Sequence, residues 1–181
     1  MQLGTRNAAF SQAPHFPGGN FVKNRWFLFS AIAIVGLIAD QITKLYIDRS
    51  MQLFQSIPVV DGLFNITYVR NRGAAFSFLS HASWRLPFFI AISVIAAAVI
   101  VVAFNRLRND QRLAQVSLAM IFSGAVGNLI DRVRQGEVID FLDVYWKTHH
   151  WPAFNVADSL ICVGVALLAL DMLREEQRQK R

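Results

Sequence analysis

The chain has 181 residues, 54% of them apolar, with 18 Lys and Arg against 12 Asp and Glu for a net charge of +6. The apolar share exceeds the roughly 45–50% of soluble domains, and the long runs are apolar all round, which excludes a water-soluble helical protein with charged stripes. The basic residues flank those runs instead of forming a separate patch, so no nucleic-acid partner is expected.

Residues 1–22, with Pro14, Pro17, Gly18 and Gly19, read as a flexible cytoplasmic tail. Lys23 and Arg25 then precede the apolar run Trp26–Ile47, which begins like a secretory signal peptide. No small-residue cleavage site follows, and the run continues into Asp40, Gln41 and Lys44, so it is read as an uncleaved first span. Val59–Gly62 suggests a turn entry, Leu63–Val69 a strand rich in aromatic and β-branched residues, Arg70–Gly73 a turn, and Ala74–Leu79 a second strand or hairpin partner. Ser83 is placed to cap the second span, Leu86–Phe104, with Pro87 in its first turn.

The third and fourth apolar runs are Leu113–Ile130 and Val156–Leu173. Each of the four has about the length needed to cross a hydrocarbon core of roughly 30 Å. The expected fold is an α-helical integral membrane protein with four transmembrane helices and a small β-sheet and loop on the outer side. Residues 23–175 would form one membrane domain and 176–181 a basic cytoplasmic tail. Cys162, inside the fourth run, is expected to be core packing, and as the single cysteine it has no intrachain disulfide partner.

Lys and Arg counts set the orientation. The N-terminal flank, the loop after the second span and the C-terminal tail together carry ten basic residues against Asp110, Asp171, Glu175 and Glu176; the opposite side balances. Both termini are therefore expected in the cytoplasm. Trp84, Trp146 and Trp151 fall on the outer side, as an interfacial aromatic belt would.

Depth then sorts the polar residues. At about 1.5 Å per residue, Asp40 stands roughly 21 Å above Trp26, with Lys44 one turn on. Asn128, Asp131 and Arg132 close the outward-running third span, and Asn155 and Asp158 open the inward-running fourth. Asp140 lies in an outer loop, Glu137–Phe141, and Asn71 and Gly73 in the outer turn. So many polar residues at one level of a membrane protein point to a site. Spacing alone leaves alternatives: Asp158 as a helix-capping acid with Asn155 as N-cap, Asp40–Lys44 as a structural pair, and Asp131 as a rival to Asp140. Ser123 and Gly127 form a small-xxx-small pair for close helix approach. A proton-coupled transporter would place its charges near the midplane with broken helices or repeats, which the sequence lacks; a non-catalytic scaffold leaves the two acids unexplained.

Five motifs, in order, span residues 40–158: Asp40-Gln41-x-x-Lys44, Asn71-x-Gly73-Ala74-Ala75-Phe76, Gly124-Ala125-Val126-Gly127-Asn128-x-x-Asp131-Arg132, Val138-Ile139-Asp140-Phe141 and Phe154-Asn155-x-Ala157-Asp158. Together they closely resemble the lipoprotein signal peptidases (signal peptidase II). Ser123 departs from the family, which more often has Gly there. The resemblance implies an intramembrane aspartyl endopeptidase of the bacterial inner membrane with its active site near the periplasmic face. It would remove signal peptides from prolipoproteins, cutting on the amino side of the diacylglyceryl-modified cysteine. It further implies Asp140 and Asp158 as the catalytic pair, Asn71, Gly73, Asn128, Arg132 and Asn155 as substrate-binding, and Asp40, Lys44 and Asp131 as structural support. Partners would be diacylglyceryl-modified prolipoprotein signal peptides and membrane lipids, and a monomer is expected.

Two close carboxylates in low dielectric cannot easily both ionise, so one serves as acid and the other as base for an attacking water. That chemistry needs no cofactor. No metal site is expected either, because His15, His81, His149 and His150 show no ligand spacing. The segment Trp146–Trp151 is placed to close over a bound peptide as a lid.

Overall fold

The computed structural model describes residues 18–73 and 84–180, with side chains from residue 25 onward. Its elements in chain order are α1 (Gly18–Ser50), β1 (Ser56–Val60), β2 (Phe64–Asn71), α2 (Arg85–Arg106), α3 (Arg112–Gln135), β3 (Val138–Trp146), β4 (His149–His150) and α4 (Val156–Gln179). All four helices are long and apolar enough to cross a membrane, α1 over Arg25–Ser50. The expected strand at Ala74–Leu79 and the cap at Ser83 lie outside the described residues. Trp84 occupies the N-cap position of α2 and makes no side-chain cap bond. Helix α1 already begins at Gly18, within the segment read as a tail, and α4 continues to Gln179 through most of the other.

Helix α3 is the axis of the bundle. More than half of its apolar window is buried, against 6% of that of α2, and it packs on α1, α2 and α4 alike, while no comparable packing joins α2 to α4. Small residues permit this. The Ser123 hydroxyl donates to the Ala33 carbonyl at 3.0 Å, and a Cβ on Gly36 would sit 2.6 Å from Ser123 Oγ. A Cβ on Gly124 would come within 2.2 Å of the Ala157 carbonyl oxygen of α4. At the end remote from the sheet, Phe29 and Phe104 pack at 4.5 Å between centroids with Trp26 and Phe122 around them. Cys162 is not core: it is exposed on α4. A helix that is apolar all round carries no periodicity to say which face packs, so sequence could not place it.

The sheet is antiparallel in the order β1-β2-β3-β4. Val59 and Val60, read as a turn entry, belong to β1, and the turn proper is residues 61–63. Arg70 and Asn71 are the end of β2. Asp140 stands in β3, not in a loop, because Val138–Trp146 finds a partner strand in β2 that local sequence does not reveal. Trp146–Trp151 is a hairpin between β3 and β4, and both tryptophans are exposed.

The pairing of β2 with β3 is interrupted by one extra residue on β2. Ile66 opposes Leu142, whereas Val69 opposes Asp140, so Thr67 and Tyr68 together face Phe141. Side chains alternate along a strand, so a bulge exchanges the two faces beyond it. It is this exchange that puts Asn71 on the same face as Asp140. The bulged backbone is satisfied from outside the ladder: Tyr68 N–H donates to Gln55 O at 3.0 Å and Tyr68 O accepts from Phe54 N–H at 2.8 Å.

Candidate active site

The ends of α1 and α3, the start of α4 and strands β2 and β3 meet in one polar cluster. Its base is Lys44, which is fully buried. The ammonium lies 2.9 Å from Asp40 and 2.8 Å from Asp131, and it donates to Asn128 Oδ1 at 2.9 Å. Both carboxylates are used again. Asp40 accepts from the Ala157 N–H at 2.8 Å, tying α4 to α1, and Asp131 accepts from the Ile139 N–H at 3.3 Å, tying β3 to α3. Gln41 bridges them, donating to Asp40 at 3.2 Å and Asp131 at 3.1 Å. Gly127 leaves the room: a Cβ there would lie 2.5 Å from Asp40 Oδ2.

Above this base stand Asp140 and Asp158, each held by side-chain amides. Asn71 donates to Asp140 Oδ2 at 2.8 Å and Asn155 donates to Asp140 Oδ1 at 2.7 Å. Asn128 donates to Asp158 Oδ1 at 2.7 Å. Asp158 Oδ2 also accepts from the Asn155 N–H at 3.3 Å, while Asn155 Oδ1 accepts from the Asp158 N–H at 2.9 Å. That reciprocal pair is a capping box at the start of α4. The capping reading of Asp158 is therefore correct as far as it goes, and one of its oxygens is left for Asn128.

The orientation of each amide follows from a partner of unambiguous polarity. Asn128 Oδ1 faces an ammonium, Asn155 Oδ1 a backbone N–H, and Asn71 Oδ1 the Gly73 N–H at 2.7 Å. All three NH₂ groups are thus turned toward the carboxylates, and neither acid can pass a proton to them.

Burial sets the acidity of Asp140. Asp140 is 2% exposed, and removal from water pushes its carboxyl up to about 7 from an ordinary 3.8; the Asn71 N–H pulls the other way and the charge of Asp158 adds to the rise. Asp158 is half-buried, so water reaches it more readily. Arg132 makes no ion pair among the described residues. Its guanidinium lies over the Phe89 ring of α2, 5.2 Å from the centroid, and reaches Asn128 O at 3.4 Å.

Phe89 also fills the space beside Gly73, where φ is +91° and a Cβ would stand 2.5 Å from the ring. Gly73→Ala is expected to cost about 1–3 kcal/mol from backbone strain alone, and the displaced ring would no longer lie under Arg132. A lowered melting temperature checks this.

Every residue singled out in sequence for the site thus enters one connected network. Sequence reasoning passed over Gln41, Phe89 and the Ala157 backbone. Gln41 and Ala157 stand inside two of the five motifs, which was their one visible signal; Phe89 acts through its position in the fold.

A family profile described as signal peptidase (SPase) II matches residues 32–174. The lipoprotein signal peptidase of Geobacter metallireducens is 68% identical over 160 residues, covering 88% of this chain and 99% of that protein. That of Pseudomonas putida is 41% identical over 168 residues, covering 92% and 96%. The solved structure of a bacterial membrane enzyme, determined by the in meso method at 1.9 Å resolution, is 36% identical and superposes with a TM-score of 0.72 over 80% of this chain and 92% of that one.

Proposed function

The chain belongs to the signal peptidase II family, and on that premise we propose that Asp140 and Asp158 are the carboxylates with which it removes signal peptides from prolipoproteins. The observation that carries this is the pairing of a buried, weakly acidic Asp140 with a more accessible Asp158, each fixed by amides that offer only N–H groups. Asp140 starts protonated. Its two oxygens already receive N–H bonds, so its proton is left to point into the groove, where it can be given to a scissile carbonyl oxygen. Asp158, ionised, takes a proton from water, and the resulting hydroxide equivalent attacks the carbonyl carbon. Collapse of the tetrahedral intermediate breaks the C–N bond: the leaving amine takes the proton from Asp158, and one hydroxyl of the intermediate returns its proton to Asp140 as the product carboxyl forms.

The substrate reading is a prolipoprotein whose cysteine carries diacylglycerol, cut on the amino side of that cysteine. The absence of close packing between α2 and α4 supports a groove over α3 that opens sideways to lipid, where acyl chains can stay in the bilayer while the peptide reaches the pair. Asn71, Asn128 and Asn155 present polar groups along it, and Arg132, unpaired with any acid, is available for a peptide carbonyl. Residues 23–175 serve as the catalytic unit. The charge asymmetry supports cytoplasmic termini and a site near the periplasmic face of the inner membrane. The test is in vitro cleavage of a diacylglyceryl-modified precursor beside its unlipidated form, with product masses read. Selective processing of the lipidated form is expected, and equal processing of both would refute the substrate assignment.

The pH profile follows from Asp140. Because its folded value lies above its ordinary one, the protonated form prevails below about 7 and is lost above it. The ratio kcat/KM is expected to fall by about tenfold per pH unit beyond that point; a ratio still climbing there would reverse the acid and base assignments. The same shift acts on the fold. The stability contributed by the neutral carboxyl is present below about 3.8 and disappears as pH rises through about 7.

A further inference from the structure

We propose that the end of the bundle remote from the two aspartates binds the phosphate of an anionic membrane phospholipid, in a pocket between the α2–α3 turn and the last turns of α4. A cavity of about 230 Å³ lies there, with Arg108, Gln111, Arg112, Asp171, Arg174 and Arg178 in its wall. Its arginines fall into two groups. Arg108 is already neutralised, 2.9 Å from Glu175 and 3.2 Å from Asp110, and Gln111 adds its amide to the same Glu175 at 3.2 Å. These contacts pin the turn to α4 and build the wall. Arg174 and Arg178 have no hydrogen bond or ion pair among the described residues, and Arg112 has only a 3.5 Å contact to Gln115. The carboxylate left to answer these three guanidinium groups, none of them in an ion pair among the described residues, is Asp171, so the pocket keeps an excess of positive charge.

The start of α3 adds to that excess. Its N-cap, Gln111, makes no side-chain cap bond and no acid stands in the first turn, so the positive end of the helix dipole adds to the field of the pocket, where Asp110 and Glu175 are already engaged by Arg108. Depth selects the ligand. The pocket lies at the start of α3 and the end of α4, two helices long and apolar enough to cross a membrane, which argues for headgroup level, with exposed Met172 and Leu173 beside it on α4 for an acyl chain. Guanidinium forks match the two free oxygens of a phosphodiester, and basic pockets between spans are a recurring way of holding anionic lipids. Asp171 narrows the choice further. Its charge disfavours a phosphate dianion but accepts a hydroxyl, so a singly charged diester with a hydroxylated headgroup, such as phosphatidylglycerol, fits best.

The experiment uses the full-length protein in a neutral detergent. Retention of phosphatidylglycerol, phosphatidylethanolamine and phosphatidylcholine of identical acyl chains is measured by native mass spectrometry. Preferential retention of phosphatidylglycerol is expected. Arg112→Gln/Arg174→Gln/Arg178→Gln should lower its affinity by roughly fivefold for each arginine removed, with precursor cleavage in detergent unchanged. Arg178→Gln alone, at an exposed position with no hydrogen bond or ion pair among the described residues, should lose roughly fivefold and keeps the test decisive if the triple variant does not fold. Arg49→Gln/Lys147→Gln, at the opposite end, should bind as wild type. Equal retention of the three lipids, or an equal loss in the opposite-end variant, would overturn the proposal. Displacement of the lipid by millimolar inorganic phosphate would make this a free-anion site and overturn it as well.

Discussion

Replacing Asp158 by Asn is expected to slow cleavage of a diacylglyceryl-modified precursor by about 10³- to 10⁴-fold, with the protein still folded and inserted, and Asp140→Asn should do the same. Asn keeps the shape of the side chain and removes its proton chemistry. Each acid also receives an N–H on both oxygens: from Asn71 and Asn155 at Asp140, and from Asn128 and the Asn155 backbone at Asp158. An amide in that position must turn its NH₂ toward one of those donors. One donor is then unpaired, at about 1–3 kcal/mol, which is small beside the loss of activity. For Asp140 the change also removes a carboxyl that burial keeps from ionising below about 7, which offsets part of that cost. Turnover followed by product mass, together with a melting curve for each variant, separates the two effects. Wild-type turnover by both variants would rule out the pair as catalyst.

The largest effect on the fold is expected at Lys44. Lys44→Met leaves Asp40 and Asp131 buried without their cation, and breaking a buried pair on one side costs about 3–5 kcal/mol. It also loosens Asn128, whose oxygen is held away from Asp158 by Lys44 at 2.9 Å and otherwise by the longer 3.3 Å bond from the Asn155 amide. Combining Lys44→Met with Asp40→Asn and Asp131→Asn removes the stranded charges. The triple variant should recover most of the melting temperature and still turn over roughly 10²-fold slowly, as expected for a misplaced reacting group. Full recovery of both would reduce Lys44 to a structural ion.

What the sequence disclosed follows the physics of each segment. Four spans were legible because hydrocarbon demands long apolar runs, whatever the tertiary packing. The gathering of these polar residues into one cluster was legible because polar groups at membrane depth need a reason to be there. The sheet was half-legible. β2 has aromatic and β-branched residues, but β1 is exposed along its whole length, so no alternation marked Val59 and Val60 as strand. Asp140 looked like a loop residue because its strand partner, β2, lies far back in the chain. Cys162 was misplaced for the reason that made its helix easy to find, since an all-apolar surface hides which side faces lipid.

The extra residue at Thr67–Tyr68 has a consequence for how this chain tolerates change. Upstream of Asn71, β2 acts as a parity counter: losing or gaining one residue would present Arg70 or Arg72 to Asp140, while a change of two would restore the face but bring Gly73 or Val69, neither with an amide, to the place of Asn71. A guanidinium in that place would hold the carboxyl ionised and silence the acid without touching it. Related chains should therefore vary in the letters of this strand far more freely than in its count.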